Sequence, residues 1–347
     1  MKIINTALCS FGMSGRVFHA PFISIHPGFN LYGVWERSKK QAVEKYPDVV
    51  TYRSIEQLLN DSFIDLVVVN TPNYTHYQYA KKALESNKHV IIEKPFAITG
   101  DECQELIQLA IAKNRKLSVF QNRRYDSDFK TVKKILQQQL LGELVEAEIH
   151  YDRYKKELSP KIHKEIPGPG TGALYDLGAH LIDQALQLFG SPEAVFADIR
   201  IVRPTSRVDD YFDLLLYYST FRVRLKSNYL VRESLPGFIL HGRKGSFIKP
   251  RTDIQESMLQ AGMIPSINGW GAEPLSEQGL LHAEIDGKVV KEYIHSECGN
   301  YGEYYEGIYE AIINDGRLPV TPEEGMEIIT IINASFKSNH DKKLVYL

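Results

Sequence analysis

Residues 3–9 form a short apolar run that stops at Ser10-Phe11-Gly12-Met13-Ser14-Gly15, and helical spacing resumes directly afterwards. A strand that turns on glycines into a helix leaves few folds open, because such a turn gathers backbone N–H groups and a positive helix end at one point. Ser10 stands where a GxGxxG pattern has its first glycine, so the motif shrinks to GxxG, which a bland turn also satisfies. Glu36 adds weight. It closes the second apolar run about 20 residues further on, where a carboxylate can bind the hydroxyls of an adenosine ribose. Phe11, Gly12, Met13, Ser14, Gly15 and Glu36 are therefore candidate dinucleotide-binding residues. Arg37, followed by Ser38 and Lys39, could instead hold a 2′-phosphate, or could simply begin an exposed helix. A carboxylate at position 36 would repel that phosphate, so NAD is favoured over NADP with both left open.

The alternation continues. Residues 3–9, 31–36, 64–70, 89–93 and 116–121 read as strands, and 38–46, 75–86 and 100–114 have helical spacing, with a short serine-capped helix at 54–60. Strand and helix in turn predict a parallel sheet covered on both faces. Beyond Asn122 the runs lengthen and alternate, at 143–154, 194–202, 212–218 and 222–230, which predicts an open sheet with helix on one side. The expected fold is α/β: an N-terminal Rossmann doubly wound parallel sheet at 1–122, then an α/β domain with an open, mostly antiparallel sheet at 123–347. A chain of 347 residues is too long for one core in any case. Gly-Pro-Gly-Thr-Gly at 168–172 leads into a helix from 173 to 189, residues 251–300 are expected to be loop-dominated, and helices at 302–314 and 321–338 close the chain.

Composition excludes several classes. The net charge is −2 with its basic residues scattered, so there is no footprint for nucleic acid or an anionic membrane. No apolar run approaches the ~20 residues of a membrane span. Three cysteines, an odd number without a CxxC pair, point to a reducing compartment such as the cytoplasm and support neither disulfides nor structural zinc. Small-molecule partners are expected. The 20 tyrosines suit either a sugar site or a core.

Hydride transfer from a secondary alcohol needs a proton acceptor and a group that stabilises the developing alkoxide. Glu93-Lys94-Pro95 closes the fourth strand, at the sheet edge where open α/β folds bind ligands. Lys94 could hold the substrate oxygen, or could be an ordinary exposed lysine. Asp176, His180, Asp183 and Gln187 fall within about 60° of arc on a helix, opposite a leucine-rich side. That polar stripe is either a solvated face or a site in which His180 takes the proton and Asp176 orients it. A metal site from Asp176, His180 and Asp183 is a third, weaker reading. Thr71, Pro72, Asn73 and His76 could line the dinucleotide or form a plain strand-to-helix turn. Asn122 and Arg124 lie where a cleft between domains is expected, with an interdomain salt bridge as the rival explanation for Arg123 and Arg124. Trp270 could cover the site or anchor its own loop.

Taken in order, Gly12-Met13-Ser14-Gly15, Phe18-His19-Ala20-Pro21, Glu93-Lys94-Pro95 and Asp176-Leu177-Gly178-Ala179-His180-Leu181-Ile182-Asp183 resemble the glucose–fructose oxidoreductase/inositol dehydrogenase (Gfo/Idh/MocA) family. Within it, Gln121-Asn122-Arg123-Arg124, Tyr151-Asp152-Arg153-Tyr154 and residues 241–249 are similar to scyllo-inositol dehydrogenase-like oxidoreductases, from which Glu36 and Ser10 depart. The resemblance implies catalytic Lys94, Asp176 and His180 converging on one pocket. It further implies cofactor contacts from Glu93, Lys94 and Asn122, substrate contacts from Arg124, Tyr154, Asp176 and His180, a sugar or polyol substrate, and a homodimer or higher homo-oligomer built on the open sheet. A non-catalytic dinucleotide-binding protein, regulatory or redox-sensing, is the alternative, since fold alone does not set function.

Overall fold

The structure, a computed structural model, describes residues 2–36, 40–161, 164–266 and 270–347. The first sheet has six strands: β1 Ile4–Leu8, β2 Phe29–Trp35, β3 Val50–Tyr52, β4 Leu66–Val69, β5 His89–Glu93 and β6 Leu117–Phe120. Their spatial order is β3-β2-β1-β4-β5-β6, with every pairing parallel. All four residues of β4, Leu-Val-Val-Val, are buried, as a strand covered on both faces requires. This is the doubly wound order, and it reverses between β1 and β4, so the crevice at the carboxyl end of those strands is where a ligand belongs. The three-residue β3 is absent from the sequence reading. It is short, and only one of its residues is fully buried.

The second sheet has nine strands: β7 Leu144–His150, β8 Ala194–Arg200, β9 Tyr211–Tyr217, β10 Arg222–Asn228, β11 Phe238–Gly242, β12 Gly245–Lys249, β13 Gly279–Ile285, β14 Lys288–Ile294 and β15 Val345–Tyr346. The order is β14-β13-β12-β11-β7-β10-β9-β8-β15; β7 and β10 are parallel and every other pair is antiparallel. Register explains the two faces. One row across seven strands, Val195-Leu216-Val223-Ala147-Leu240-Phe247-Leu281, is wholly buried, on the side where helices Ser127–Gln137 and Ala179–Phe189 pack. One residue along, the row Phe196-Leu215-Arg224-Glu148-Ile239-Ile248-Leu280-Tyr293 is exposed or half-buried, because successive side chains alternate across a strand.

The stretch 251–300 is more ordered than expected. It holds helix Gln255–Gln260 and the hairpin β13–β14, whose tip, Asp286-Gly287, has φ of 50° and 75°, the left-handed pair that a two-residue hairpin turn needs. Compact units also differ from two uninterrupted stretches. The first unit takes residues 1–122, 255–270 and 300–327, and the second takes 123–254, 271–299 and 328–347. Among the described residues no helix is long and apolar enough to cross a membrane.

Candidate active site

After β1 the backbone closes a tight turn. Gly12 N–H donates to Ser10 Oγ at 3.1 Å, so the serine hydroxyl serves the turn at the position a glycine would otherwise take. Asn70, just past β4, donates its amide to Ser10 O at 2.8 Å. A Cβ on Gly15 would lie 2.4 Å from Ser10 O and 2.9 Å from Asn70 Nδ2, so only glycine fits. Gly15–His19 then continues as a π-helix and Ala20–Ile25 as an α-helix. A glycine turn that opens a helix is the backbone setting that receives a pyrophosphate, and Asn70 Oδ1, buried and without a hydrogen-bond partner, is an acceptor left for a donor at this crevice. Met13 is exposed, whereas Phe11 is packed edge-on against Tyr46 with ring centroids 6.1 Å apart, so Phe11 can offer a ligand only its backbone.

Glu36 has a task of its own. Its carboxylate accepts Gln41 N at 3.3 Å and Ala42 N at 3.0 Å, capping helix Gln41–Lys45, and keeps further lone pairs for a ligand. Arg37 lies outside the described residues. Thr71, Pro72 and Asn73 are half-buried at the carboxyl end of β4, in a turn closed by Thr75 N to Pro72 O at 2.8 Å. His76 begins the following helix, but its ring is 1% exposed, with Nδ1 2.8 Å from Pro95 O and Nε2 2.9 Å from Thr71 O. Burial lowers its pKa against the pull of those two carbonyls. His76 thus clamps two loops together instead of presenting its ring to a ligand.

At the end of β5, Glu93 sits in a chain of hydrogen bonds. His19 Nε2 lies 2.9 Å from Glu93 Oε1, Ser14 Oγ donates to the same oxygen, and His19 Nδ1 is 2.6 Å from the Tyr305 hydroxyl. Burial opposes ionisation of Glu93, but the hydrogen bond and charge of His19, the Ser14 hydrogen bond and the Lys94 charge hold its pKa down at about 2. Lys94 follows, half-buried, and its peptide bond to Pro95 is cis. His19 and Tyr305 were absent from the sequence assignment of roles. The clues to His19 were its place in Phe18-His19-Ala20-Pro21 and its standing as a histidine on an otherwise apolar helix start, residues 17–23.

In the second unit Gly170 and Gly172 have φ of 74° and 100°, and Asp209 fills the space that a side chain on Gly172 would need. Asp209 Oδ2 accepts Leu174 N at 2.8 Å and so holds the start of the helix. Burial pushes its pKa up to about 6, against the effect of that N–H. Leu174–Gly178 is π-helical and Ala179–Phe189 α-helical. The α-helical arc drawn for Asp176 and His180 is therefore altered: four residues complete an α turn but fall short of the wider π turn. Nor is the polar stripe a solvated face, since His180 is 7% exposed and Asp183 1%. Asp176 carries Lys164 at 3.0 Å. Asp183 is gripped by Arg124 through Nε at 3.0 and 3.1 Å and Nη2 at 2.6 Å, which makes Arg124 an ion-pair partner within its own unit and takes Asp183 out of any metal set. Among the described residues no group of three His, Cys, Asp or Glu side chains could hold a metal ion.

Tyr154 is exposed, its hydroxyl accepting Arg232 Nη2 at 2.8 Å with the guanidinium 4.1 Å over the ring. Asn122 is buried in the 3₁₀ turn Asn122–Tyr125, which Gln184 Nε2 holds through Arg123 O at 3.3 Å. Trp270 is buried, as a loop anchor would be. The structure thus brings Gly12–Gly15, Asn70, Glu93 and Lys94 to one edge of the first sheet, and Asp176 and His180 to the start of one helix in the second unit.

Comparisons with known proteins bear on the family and the fold. Residues 4–121 match the model of an oxidoreductase family with an NAD-binding Rossmann fold, and residues 133–347 match that family's C-terminal alpha/beta domain. Scyllo-inositol 2-dehydrogenase (NADP(+)) IolW of Bacillus subtilis is 36% identical over 344 residues, 99% of this chain and 96% of its own length. A solved structure from Bacteroides fragilis is 47% identical with a TM-score of 0.92, each chain covered completely, and an oxidoreductase structure from Bacillus cereus is 32% identical with a TM-score of 0.92, covering 99% and 98%. With both of its domain models matched in order on a doubly wound sheet followed by a mixed, mostly antiparallel one, the chain belongs to the Gfo/Idh/MocA oxidoreductase family.

Proposed function

We propose that this protein is an NAD(P)-dependent dehydrogenase that moves a hydride between the nicotinamide ring and a hydroxyl carbon of a sugar or cyclic polyol of the inositol kind. One observation carries the reading. Lys94 stands at the carboxyl end of β5, and the residue before it is hydrogen-bonded to Ser14 of the glycine turn, so a cationic donor is tied to the dinucleotide end of the sheet. Gly12–Gly15 would receive the pyrophosphate, with Glu36 at the adenosine ribose and Asn70 to Asn73 along the crevice. Bound there, the dinucleotide supplies the hydride acceptor or donor.

The chain's own groups do the rest. Lys94 Nζ donates to the substrate oxygen and offsets the charge that gathers on it as the carbon–hydrogen bond breaks. The His180 imidazole, itself buried, takes the hydroxyl proton. Asp176 accepts hydrogen bonds from neighbouring hydroxyls once Lys164 yields its place, and Tyr154 adds an amphipathic ring. A carboxylate at position 36 would repel the extra phosphate of NADP, which favours NAD, whereas the Bacillus relative is named for NADP.

We place the protein in the cytoplasm, consistent with three free cysteines. We read it as a homodimer or higher homo-oligomer through the open sheet, where Phe196 and Tyr293 are 39% and 68% exposed on a row that also holds Leu215, Ile239, Ile248 and Leu280. The test is kinetic. Inositols, aldoses and sugar acids are offered with NAD and NADP while nicotinamide absorbance is followed. His180→Ala should cut kcat about 10²–10⁴-fold and leave dinucleotide affinity nearly unchanged. Turnover that survives the substitution overturns the assignment of the base, and no turnover with any pair overturns the dehydrogenase.

A further inference from the structure

We infer that His19 is a positioning residue for Lys94, acting through Glu93; the inference rests on the reading of Lys94 given above. Glu93 is the acceptor on which the chain converges. Glu93 is ionised, so its oxygens only accept, and both Ser14 Oγ–H and His19 Nε2–H must donate to Oε1. With Nε2–H committed to Glu93, the other ring nitrogen, Nδ1, shares a hydrogen bond with the Tyr305 hydroxyl 2.6 Å away. Burial pushes the Tyr305 phenol well above its ordinary pKa, which keeps that proton in place. Hydrogen bonds thus link Glu93 through His19 to Tyr305, and Ser14 donates to the same carboxylate oxygen.

The anchor is rigid. His19 and Tyr305 are both 0% exposed. The His19 ring lies 4.5 Å from that of Phe120, and Tyr305 is stacked on Phe22 at an interplanar angle of 7° and meets Phe29 edge-on. An imidazole among aromatic rings has no packing advantage over an apolar side chain of similar size, and burying its polar atoms has a cost. What it supplies is direction: a fixed N–H aimed at the carboxylate one residue before Lys94. On the far side of Lys94, the carbonyl of Pro95 meets the buried ring of His76 at 2.8 Å. The backbone of Lys94 is therefore braced from both neighbours, which fixes the starting point of a four-carbon chain that otherwise has many rotamers. Ser14 adds a second consequence. It belongs to the glycine turn, so occupancy of that turn and placement of Lys94 share one carboxylate oxygen.

The experiment compares His19→Leu and His19→Gln with the wild type on whichever substrate the panel identifies. Turnover is divided by the number of sites titrated with reduced dinucleotide through its fluorescence. Misplacing a reacting group by about 1 Å can cost roughly 100-fold, so His19→Leu should lower kcat per titrated site by about 30–100-fold. Dinucleotide Kd should barely move. His19→Gln, whose amide can still donate to Glu93, should regain most of the turnover. A purely structural role would lower the unfolding midpoint and the number of titrated sites but not kcat per site. Full kcat per site in His19→Leu overturns the inference. Should that variant titrate no sites, Tyr305→Phe replaces it: removing one hydroxyl should cost several-fold in kcat, and unchanged kcat overturns the inference just as firmly. Lys94→Met separates the two readings. If it leaves turnover intact, the role of Lys94 itself fails, whereas an inactive Lys94→Met beside a fully active His19→Leu sinks only the positioning role.

Discussion

The Arg124–Asp183 pair gives the sharpest energetic forecast. The two side chains are 8% and 1% exposed, and the guanidinium meets the carboxylate through two nitrogens at 2.6–3.1 Å. In Asp183→Leu the guanidinium stays buried without its counter-charge, which should cost about 3–5 kcal/mol. Removing both charges, as Arg124→Met with Asp183→Leu, should cost within about 1 kcal/mol of nothing, because desolvation of the two ions is relieved together. The second substitution thus restores about 3 kcal/mol or more that the first removes, the mark of two strongly coupled sites. Urea unfolding followed by circular dichroism reads it: at a slope of about 2–3 kcal/mol per molar, the single variant's midpoint falls by roughly 1–2 M and the double variant recovers it. The double variant also settles the role of Arg124. If the arginine only holds the helix, kcat/KM on the identified substrate stays near wild type, and if it grips substrate, kcat/KM collapses in a stable protein. A single variant that loses less than about 1 kcal/mol, or a double variant as unstable as the single, would refute the reasoning.

Acid should weaken the fold through Glu93. Its folded pKa of about 2 lies below the roughly 4.3 of an unfolded chain, so its contribution of about 3 kcal/mol is complete above pH ~4.5 and lost as pH falls towards 2. Glu93→Gln should flatten the melting temperature over that window, and an unaltered slope would contradict it. Gly15→Ala forces a Cβ to 2.4 Å from Ser10 O and should weaken dinucleotide binding by calorimetry at least ~10-fold. The control Gly100→Ala, with open space around it, should bind as the wild type does. Iodoacetamide at neutral pH should label only Cys298 in the native protein, because burial raises the Cys9 thiol and takes Cys103 to about 12; all three should label after unfolding.

What could be read from the chain depended on the range of the interaction. The first sheet was legible because β4 and its neighbours are continuous apolar runs and each helix repeats on its own short period, both local signals. Glycine at 15 was legible for the same reason. The partners of each polar residue were not. Asp183 looked like a solvated helix position because nothing in residues 173–189 records that Arg124, 59 residues earlier, reaches it. Tyr305 lies 286 residues from His19, so their hydrogen bond had no trace in the pattern of either segment. The π-helical geometry of 174–178 likewise leaves no mark in a pattern of 3.6 residues per turn. The hairpin at 279–294 carried a usable mark in Asp286-Gly287 that its polar, exposed second strand obscured.

The repeated return of the chain to its first unit has a consequence for synthesis. Ser118 on β6 bonds to Val320 O and receives the hydroxyl of Tyr304, and Gly325 lies close against Val119 and Phe96. A nascent chain released from the ribosome at residue 122 would hold all six strands of the nucleotide sheet yet lack the aromatic lining supplied by residues 300–327. Maturation of that sheet must therefore wait until residues 300–327 have been synthesised, and a chain truncated after residue 122 should emerge sticky and dependent on chaperones, not as a free-standing dinucleotide binder.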